Sequence, residues 1–258
     1  MSKIEFEIHE LLSMKKYPKE LFYSGNLSLL DRVKISIVGS RKPTKYSRLF
    51  IEKLSSSLSN DGICVVSGGA MGIDATAHLG ASSFNTIAVL PCGVDVRYPA
   101  VNKNLLAEIE KNGLLLSQFE SGSSATPWSF VVRNELVVAL GEVLVVGEAE
   151  LDSGTMRSVE FALKMGKEIF VLPQRLGESD GTNQLLRDKK AEAIYDIDEF
   201  VSRFTTDKTI THEVKDDFIE FCLTNPTYDE ALAKYPQRVF EAELNGDIKI
   251  KNGVVIKL

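Results

Sequence analysis

A chain of 258 residues with 36 acidic and 30 basic side chains carries a formal net charge of −6. Its 44% hydrophobic and 26% charged content excludes disordered, collagen-like and membrane classes, and no apolar run approaches the roughly 20 residues a bilayer requires. The start Met1-Ser2-Lys3-Ile4-Glu5 lacks a signal-peptide layout, so a cytoplasmic protein is expected, and Cys64, Cys92 and Cys222 form no C-x-x-C pair, so neither a disulfide framework nor a zinc site is.

In chain order, Ile4, Ile8, Leu11 and Leu12 have the spacing of a short amphipathic helix, and Tyr17-Pro18 begins a connector. From residue 33 onward, short β-branched runs alternate with helical patterns. The expected strands are 34–39, 63–67, 86–91, 114–117, 143–147, 168–173 and a weaker 193–195. The expected helices lie near 45–60, 73–84, 101–112, 130–140, 154–166 and 182–190. Runs such as Val143-Leu144-Val145-Val146 and Ile169-Phe170-Val171-Leu172 are apolar on both faces, as strands are when helices cover both sides of a parallel sheet. This alternation predicts a doubly wound, Rossmann-like α/β fold with a mostly parallel sheet. Near 205 the pattern breaks into the polar Thr205-Thr206-Asp207-Lys208-Thr209. Three short helical patterns then precede a hairpin pattern, 248–256, with its turn at Asn252-Gly253. That is the outline of a winged helix. The expected divisions are an N-terminal helix and connector (1–32), a Rossmann-like domain (33–205), a linker (206–212) and a winged-helix-like domain (213–258).

In open α/β sheets, ligands bind beyond the carboxyl ends of the strands. Those ends carry Gly39-Ser40-Arg41-Lys42, then Ser67-Gly68-Gly69-Ala70-Met71-Gly72-Ile73-Asp74, then Gly147-Glu148-Ala149 followed by Ser153-Gly154-Thr155. Small residues admit a close backbone approach, and hydroxyls with free helix N-terminal amides offer donors to an anion. One Gly-rich turn is usually only a turn; several at one sheet edge predict a phosphate site. The whole-chain charge argues against nucleic acid, but between Asp31 and Asn60 seven basic residues face two acidic ones, a local +5. Neither G-x-G-x-x-G nor G-x-x-x-x-G-K-[ST] occurs, and no cofactor or metal is expected.

Trp128-Ser129-Phe130-Val131-Val132-Arg133-Asn134 opens a helix. Its aromatics and Arg-Asn pair either stack a base and hold a phosphate, or form core with Arg133 paired to Glu135 or Glu148. His78 follows Asp74 by four residues, the spacing of a helix-face hydrogen bond, and His9 and His212 lie in terminal elements. No arrangement for nucleophilic or metal catalysis occurs.

Taken in order, Val38-Gly39-Ser40-Arg41, Ser67–Asp74 with Ala77-His78, Pro91-Cys92-Gly93-Val94-Asp95 with Tyr98-Pro99, Phe130-x-x-Arg133-Asn134, Glu148-Ala149 with Ser153-Gly154-Thr155, and Asp180-Gly181-Thr182-Asn183 resemble the DNA-processing protein A (DprA/Smf) family. The resemblance spans about 35–195. It implies an extended Rossmann-fold, non-enzymatic homodimer that binds single-stranded DNA and loads RecA recombinase onto it in natural transformation, protecting incoming strands. Carried over, Gly39, Ser40, Arg41 and Lys42 would grip phosphate, and Ser67, Gly68, Gly69 and Gly72 would belong to a turn offering backbone amides. Phe130 would meet a base beside Arg133 and Asn134, and Ser153, Gly154 and Thr155 would complete the pocket. The family's usual Arg-Asn-Arg reads Arg133-Asn134-Glu135 here, and the segment after Ser153-Gly154 lacks the usual Thr-Ala pair.

Residues 206–258 carry seven basic and ten acidic side chains, a net of −3. A duplex-reading helix is expected to be basic, so this module is expected to touch protein instead. The alternative function is a Rossmann-fold enzyme hydrolysing nucleoside monophosphates, with Gly154-Thr155 and Glu160 at its late β–α turn; its P-G-G-x-G-T-x-x-E motif is absent.

Overall fold

The computed structural model describes residues 2–205 and, between 217 and 257, all but 223, 225, 246, 247 and 252. The expected linker 206–212, His212 and Asn252 of the expected hairpin turn lie outside the described residues. The chain divides into two compact units, Met1–Thr206 and Asp207–Leu258.

The first unit is built on a nine-stranded sheet. Its strands are β1 (Ser2–Lys3), β2 (Phe22–Gly25), β3 (Lys34–Val38), β4 (Cys64–Ser67), β5 (Thr86–Leu90), β6 (Leu114–Ser117), β7 (Leu144–Val146), β8 (Ile169–Val171) and β9 (Glu192–Ala193). Their order is β1-β2-β6-β5-β4-β3-β7-β8-β9. The seven from β6 to β9 run parallel, whereas β2 lies antiparallel to β6 and β1 antiparallel to β2. The two antiparallel edge strands correct the sequence expectation of a helix and connector. Ile4 N–H donates to Leu21 O (2.8 Å), so the chain enters as a strand, and only His9–Ser13 coils, as a 3-10 turn.

The helices are α1 (Lys45–Asn60), α2 (Ile73–Gly80), α3 (Lys103–Asn112), α4 (Pro127–Leu140), α5 (Gly154–Lys164), α6 (Asp180–Arg187) and α7 (Ile197–Ser202). Alternation along each strand sorts them between the two faces. Ile35, Ile37, Val65 and Val145 pack with Ile51, Leu54 and Leu58 of α1, Ile73 and Ala77 of α2, and Phe200 and Val201 of α7. Val66, Val89, Leu116, Leu144 and Val146 face the other way, against Leu136 and Leu140 of α4, Val159 and Ala162 of α5, and the N-terminal Leu11 and Leu29. Leu106 and Ile109 of α3 cover Ala88, Leu90 and Leu115. This is a doubly wound, Rossmann-like α/β layer fold.

Strand order reverses at β3. One half of the chain winds outward through β4, β5 and β6, and the other through β7, β8 and β9. Connections leaving β3 and β7 therefore diverge to opposite faces, which opens a crevice at their carboxyl ends.

The second unit, taken by itself, comprises α8 (Asp217–Cys222), α9 (Tyr228–Lys234), α10 (Pro236–Asn245) and the antiparallel pair β10 (Ile248–Lys251) and β11 (Val254–Lys257). Phe218, Cys222, Ala231, Val239, Ala242, Ile248 and Val255 form its core. Thr227 and Glu230 cap α9 reciprocally.

Candidate functional site

β3 and β7 stay paired as far as Val38 and Val146. Beyond those residues lies a cleft of about 890 Å³. The loop after β3 gives it Gly39, Ser40, Arg41 and Lys42. The start of α5 gives Ser153, Gly154, Thr155 and Arg157, and α4 gives Phe130, Arg133 and Asn134. Tyr98 lines it as well.

The loop after β3 is held in shape by its own bonds. Ser40 N–H donates to Glu148 O (2.8 Å), and Ser40 Oγ accepts from Lys42 N–H (3.1 Å). Glu148 Oε2 accepts from both Thr44 N–H (2.9 Å) and Thr44 Oγ1–H (3.0 Å), tying the start of α1 to the end of β7. Across the cleft, Ser153 Oγ–H is spent on Glu150 O (2.6 Å). The first-turn amides of α5, at Gly154 and Thr155, have no intrahelical acceptor, as at any helix start, and the helix dipole favours an anion there.

Three cationic and aromatic groups meet on Phe130. The Arg41 guanidinium lies 5.4 Å from its ring centroid and that of Arg133 5.8 Å, while Tyr98 meets it edge-on at 5.9 Å and 64°. Arg133 itself is only 4% exposed. Its Nη1 donates to Gly68 O and Val89 O (3.1 Å), and its Nε–H donates to Asn134 Oδ1 (3.1 Å). Neither Glu135 nor Glu148 receives it; its acidic neighbour is Asp74. Burial pushes the Asp74 carboxyl above the usual range, and the Arg133 charge opposes that shift. Asn134 uses its carbonyl on Arg133, which leaves its NH₂ as the donor it can offer the cleft.

The turn after β4 plays a different part from the one the sequence suggests. Ser67, Gly69 and Gly72 do not line the cleft, and Gly68 borders only a small adjoining pocket with Met71, Tyr98 and Phe130. Ser67 is buried with its hydroxyl donated to Ile37 O (2.7 Å). The Gly69 amide donates to His78 Nε2 (3.2 Å) and the Ala70 amide to Asp74 Oδ2 (3.4 Å). Those two amides are consumed inside the protein and are not presented to an anion. The turn is a brace, docked on the β3 loop through Ile73 N–H to Ser40 O (3.1 Å). At Gly72, φ is +79° and ψ −125°, and a Cβ would overlap the Ser40 carbonyl and lie 2.7 Å from Arg41 C. Gly72→Ala is therefore expected to cost about 1–3 kcal/mol from backbone strain, with the overlap added, and to lower the thermal midpoint by several degrees. An unchanged midpoint would contradict the docking.

Asp74 and His78 do not bond to one another, although their spacing suggested it. The Gly69 N–H requires Nε2 as acceptor, so the proton sits on Nδ1 and goes to Thr86 Oγ1 (2.7 Å), whose hydroxyl donates to Val65 O (2.8 Å). Burial, with the Arg133 charge added, lowers the His78 pKa from 6.5 to about 3. The unfolded chain then takes up a proton that the folded chain refuses. The stability this gives is complete above pH 6.5 and is lost as pH falls toward 3, by about 1.4 kcal/mol per unit. Urea melts between pH 6.5 and 5 are expected to show this slope, and His78→Gln to flatten it. An unchanged slope in the variant would contradict it.

Of the basic residues behind the local +5, only Arg41 and Lys42 line the cleft. Lys34 is buried, with Nζ bonded to Glu10 (2.5 Å), Leu30 O (2.6 Å) and Arg32 O (2.8 Å), and Arg32 donates to Asn85 Oδ1 (2.7 Å). Lys45, Arg48 and Lys53 lie on exposed positions of α1. The basic lining is Arg41, Lys42, Arg133 and Arg157, against the acidic Asp74 and Glu150. The sequence did not assign Arg157 or Pro127 to the site, and it offered Tyr98 and Val131 only as members of longer motifs. Arg157 was open to detection, since it lies one helical turn beyond Ser153 on α5. Glu160 pairs with Arg157 (3.3 Å) and does not line the cleft, so the Gly154-Thr155 and Glu160 set of a nucleotide hydrolase does not converge.

Among known proteins, a family model described as DNA recombination-mediator protein A matches residues 7–205. The DNA processing protein DprA of Streptococcus pneumoniae is 37% identical over 175 residues, covering 66% of this chain and 62% of that protein. The Bacillus subtilis DNA processing protein DprA is 32% identical over 169 residues, 64% of this chain and 57% of that one. The chain thus spans less than two thirds of the length of these curated relatives. A structure of DNA processing protein A from Helicobacter pylori, described by its single-stranded DNA binding mode, aligns with a TM-score of 0.77 and 41% identity, covering 78% of this chain and 94% of that one. The S. pneumoniae DprA structure aligns at 0.71 and 34%, covering 76% and 70%.

Proposed function

The chain belongs to the DNA recombination-mediator protein A family, and from that premise we propose that it binds single-stranded DNA in the cleft between β3 and β7, protects incoming strands in natural transformation and delivers them to RecA recombinase. The observation that carries this reading is the Arg41 guanidinium lying 5.4 Å from the Phe130 ring centroid inside the cleft. A phosphate meets Arg41, Lys42 and the first-turn amides of Gly154 and Thr155, while a base stacks on Phe130 and takes a hydrogen bond from Asn134. Gly39 and Ser40 let the strand approach the β3 loop, and Ser153 and Arg157 line the opposite wall. The H. pylori relative supports the ligand, and the family's description as a recombination mediator supports the transfer to RecA.

The protein acts by binding and not by chemistry and as a homodimer, as the sequence resemblance implies, and in the cytoplasm, as the N-terminal sequence suggests. His78, which holds the turn after β4, has both ring nitrogens engaged internally. No described helix is long and apolar enough to cross a membrane. The three helices and hairpin of 213–258 support a winged-helix-like module, and its net charge of −3 favours a protein partner over duplex DNA.

The test combines three readouts on the full chain. Labelled oligo-dT is expected to bind more tightly than a duplex of equal length, nucleoside monophosphates to survive incubation, and RecA filaments to form faster on a strand coated by single-strand-binding protein. Hydrolysis of a mononucleotide without oligo-dT binding would overturn the reading.

A further inference from the structure

The cleft does not account for the most exposed aromatic on its rim. Trp128, the single tryptophan of the chain, is 66% exposed at the second position of α4. The sequence allowed it to be core; the structure leaves most of it in water. Its neighbours Pro127 and Val131 both line the cleft, and Val131 is itself 43% exposed. Helical spacing sets positions 127, 130, 131 and 134 on the stripe that faces the cleft and places 128 beside 131, immediately over the rim.

The indole is held rather than loose. Thr126 and Ser129 form a reciprocal cap that fixes the first turn of α4, and Phe119 meets the indole edge-to-face at 6.0 Å and 75°. A braced, exposed indole next to a single-strand cleft is a ready stacking platform, because every base presents a π-face whatever its identity. We propose that Trp128, braced by Phe119, stacks a base of the same DNA strand as it passes over the α4 rim of the cleft, extending the binding path beyond Phe130. This rests on the proposed function; the occupant is single-stranded nucleic acid because the surface is continuous with that cleft through Pro127 and Val131.

The single tryptophan makes the test direct. Oligo-dT of increasing length is titrated into the full chain while tryptophan emission is followed alongside the anisotropy of a label on the DNA. Oligomers that only fill the cleft are expected to leave the emission unchanged, and longer ones to quench it. Trp128→Ala is expected to bind the long oligomer about fivefold or more weaker and the short one equally, with Trp128→Phe restoring most of the loss. Quenching absent at saturation with the long oligomer, or Trp128→Ala binding it as wild type does, overturns the platform while leaving the cleft intact. A variant that loses self-association with unchanged DNA affinity also overturns it, by assigning Trp128 to a protein contact. Failure of every oligomer to bind by anisotropy overturns the proposed function as well.

Discussion

Arg133→Ala is expected to cost the 1–206 unit about 3–5 kcal/mol of stability, the usual result of removing one member of a buried, charge-paired network. The guanidinium is almost fully buried and joins three pieces of the fold. It leaves α4, reaches Gly68 O after β4 and Val89 O within β5, and faces Asp74 on α2. Truncation leaves both carbonyls without this donor and Asp74 without its countercharge. Gly68 is shaped to the same group, since a Cβ there would overlap the guanidinium. For a unit of this size the loss corresponds to a fall of about 10 °C in the melting midpoint. Arg133→Lys is expected to recover only part of it, because a point charge cannot reproduce a planar fork of donors. Calorimetric or circular-dichroism melts decide the matter. A variant melting within a degree or two of wild type would show that Arg133 faces the ligand instead of bracing the cleft.

Arg41 and Phe130 are expected to behave in the opposite way, with large effects on binding and small ones on folding. Arg41 is exposed, and among its described contacts is the face of Phe130. Phe130→Ala is expected to weaken oligo-dT binding by about 1–3 kcal/mol, the worth of one stacked base. Arg41→Ala is expected to weaken it comparably at low salt and progressively less as salt rises. Because the two side chains touch, the double variant should lose less than the sum of the single losses. Anisotropy titrations of the four proteins measure this coupling. Strict additivity would mean that Arg41 and Phe130 act on separate parts of the strand.

Much of the fold is legible in the sequence because the parallel core announces itself. Val143–Val146 and Ile169–Leu172 are short, β-branched and apolar on both faces, as strands covered by helices are. The short edges are not legible. β2 is four residues, Phe22–Gly25, and pairs with β6 some ninety residues later; nothing local in Phe22-Tyr23-Ser24-Gly25 signals that partner. α7 is six residues long and was missed for similar reasons of length, although Asp196 caps it through Glu199 N–H (2.9 Å).

The site divides along the same line. The loop after β3, the start of α5 and the Phe130–Asn134 segment each sit at a strand end or a helix start, and the structure brings them to one cleft. The Ser67–Gly72 turn has the same composition, yet His78 and Asp74 claim two of its amides. Their claim depends on how α2, from Asp74 in its first turn to His78 in its last, packs back on the turn, which residue type and spacing do not encode. A local charge of +5 was equally blind to direction. Lys34 counts toward it but lies inside the protein against Glu10, while Arg157, outside the counted window, lines the cleft.

A single strand is expected to lie in the β3/β7 cleft with its phosphates on Arg41 and Lys42. The direct measurement is the salt dependence of oligo-dT affinity for wild type and Arg41→Ala. Each phosphate contact adds about −0.7 to the slope of log affinity against log salt for single strands. The wild-type slope is expected to be about −2 to −3 and the variant slope flatter by about one contact, with unchanged thermal stability. A variant whose slope equals that of wild type, or a wild-type affinity indifferent to salt, would contradict it.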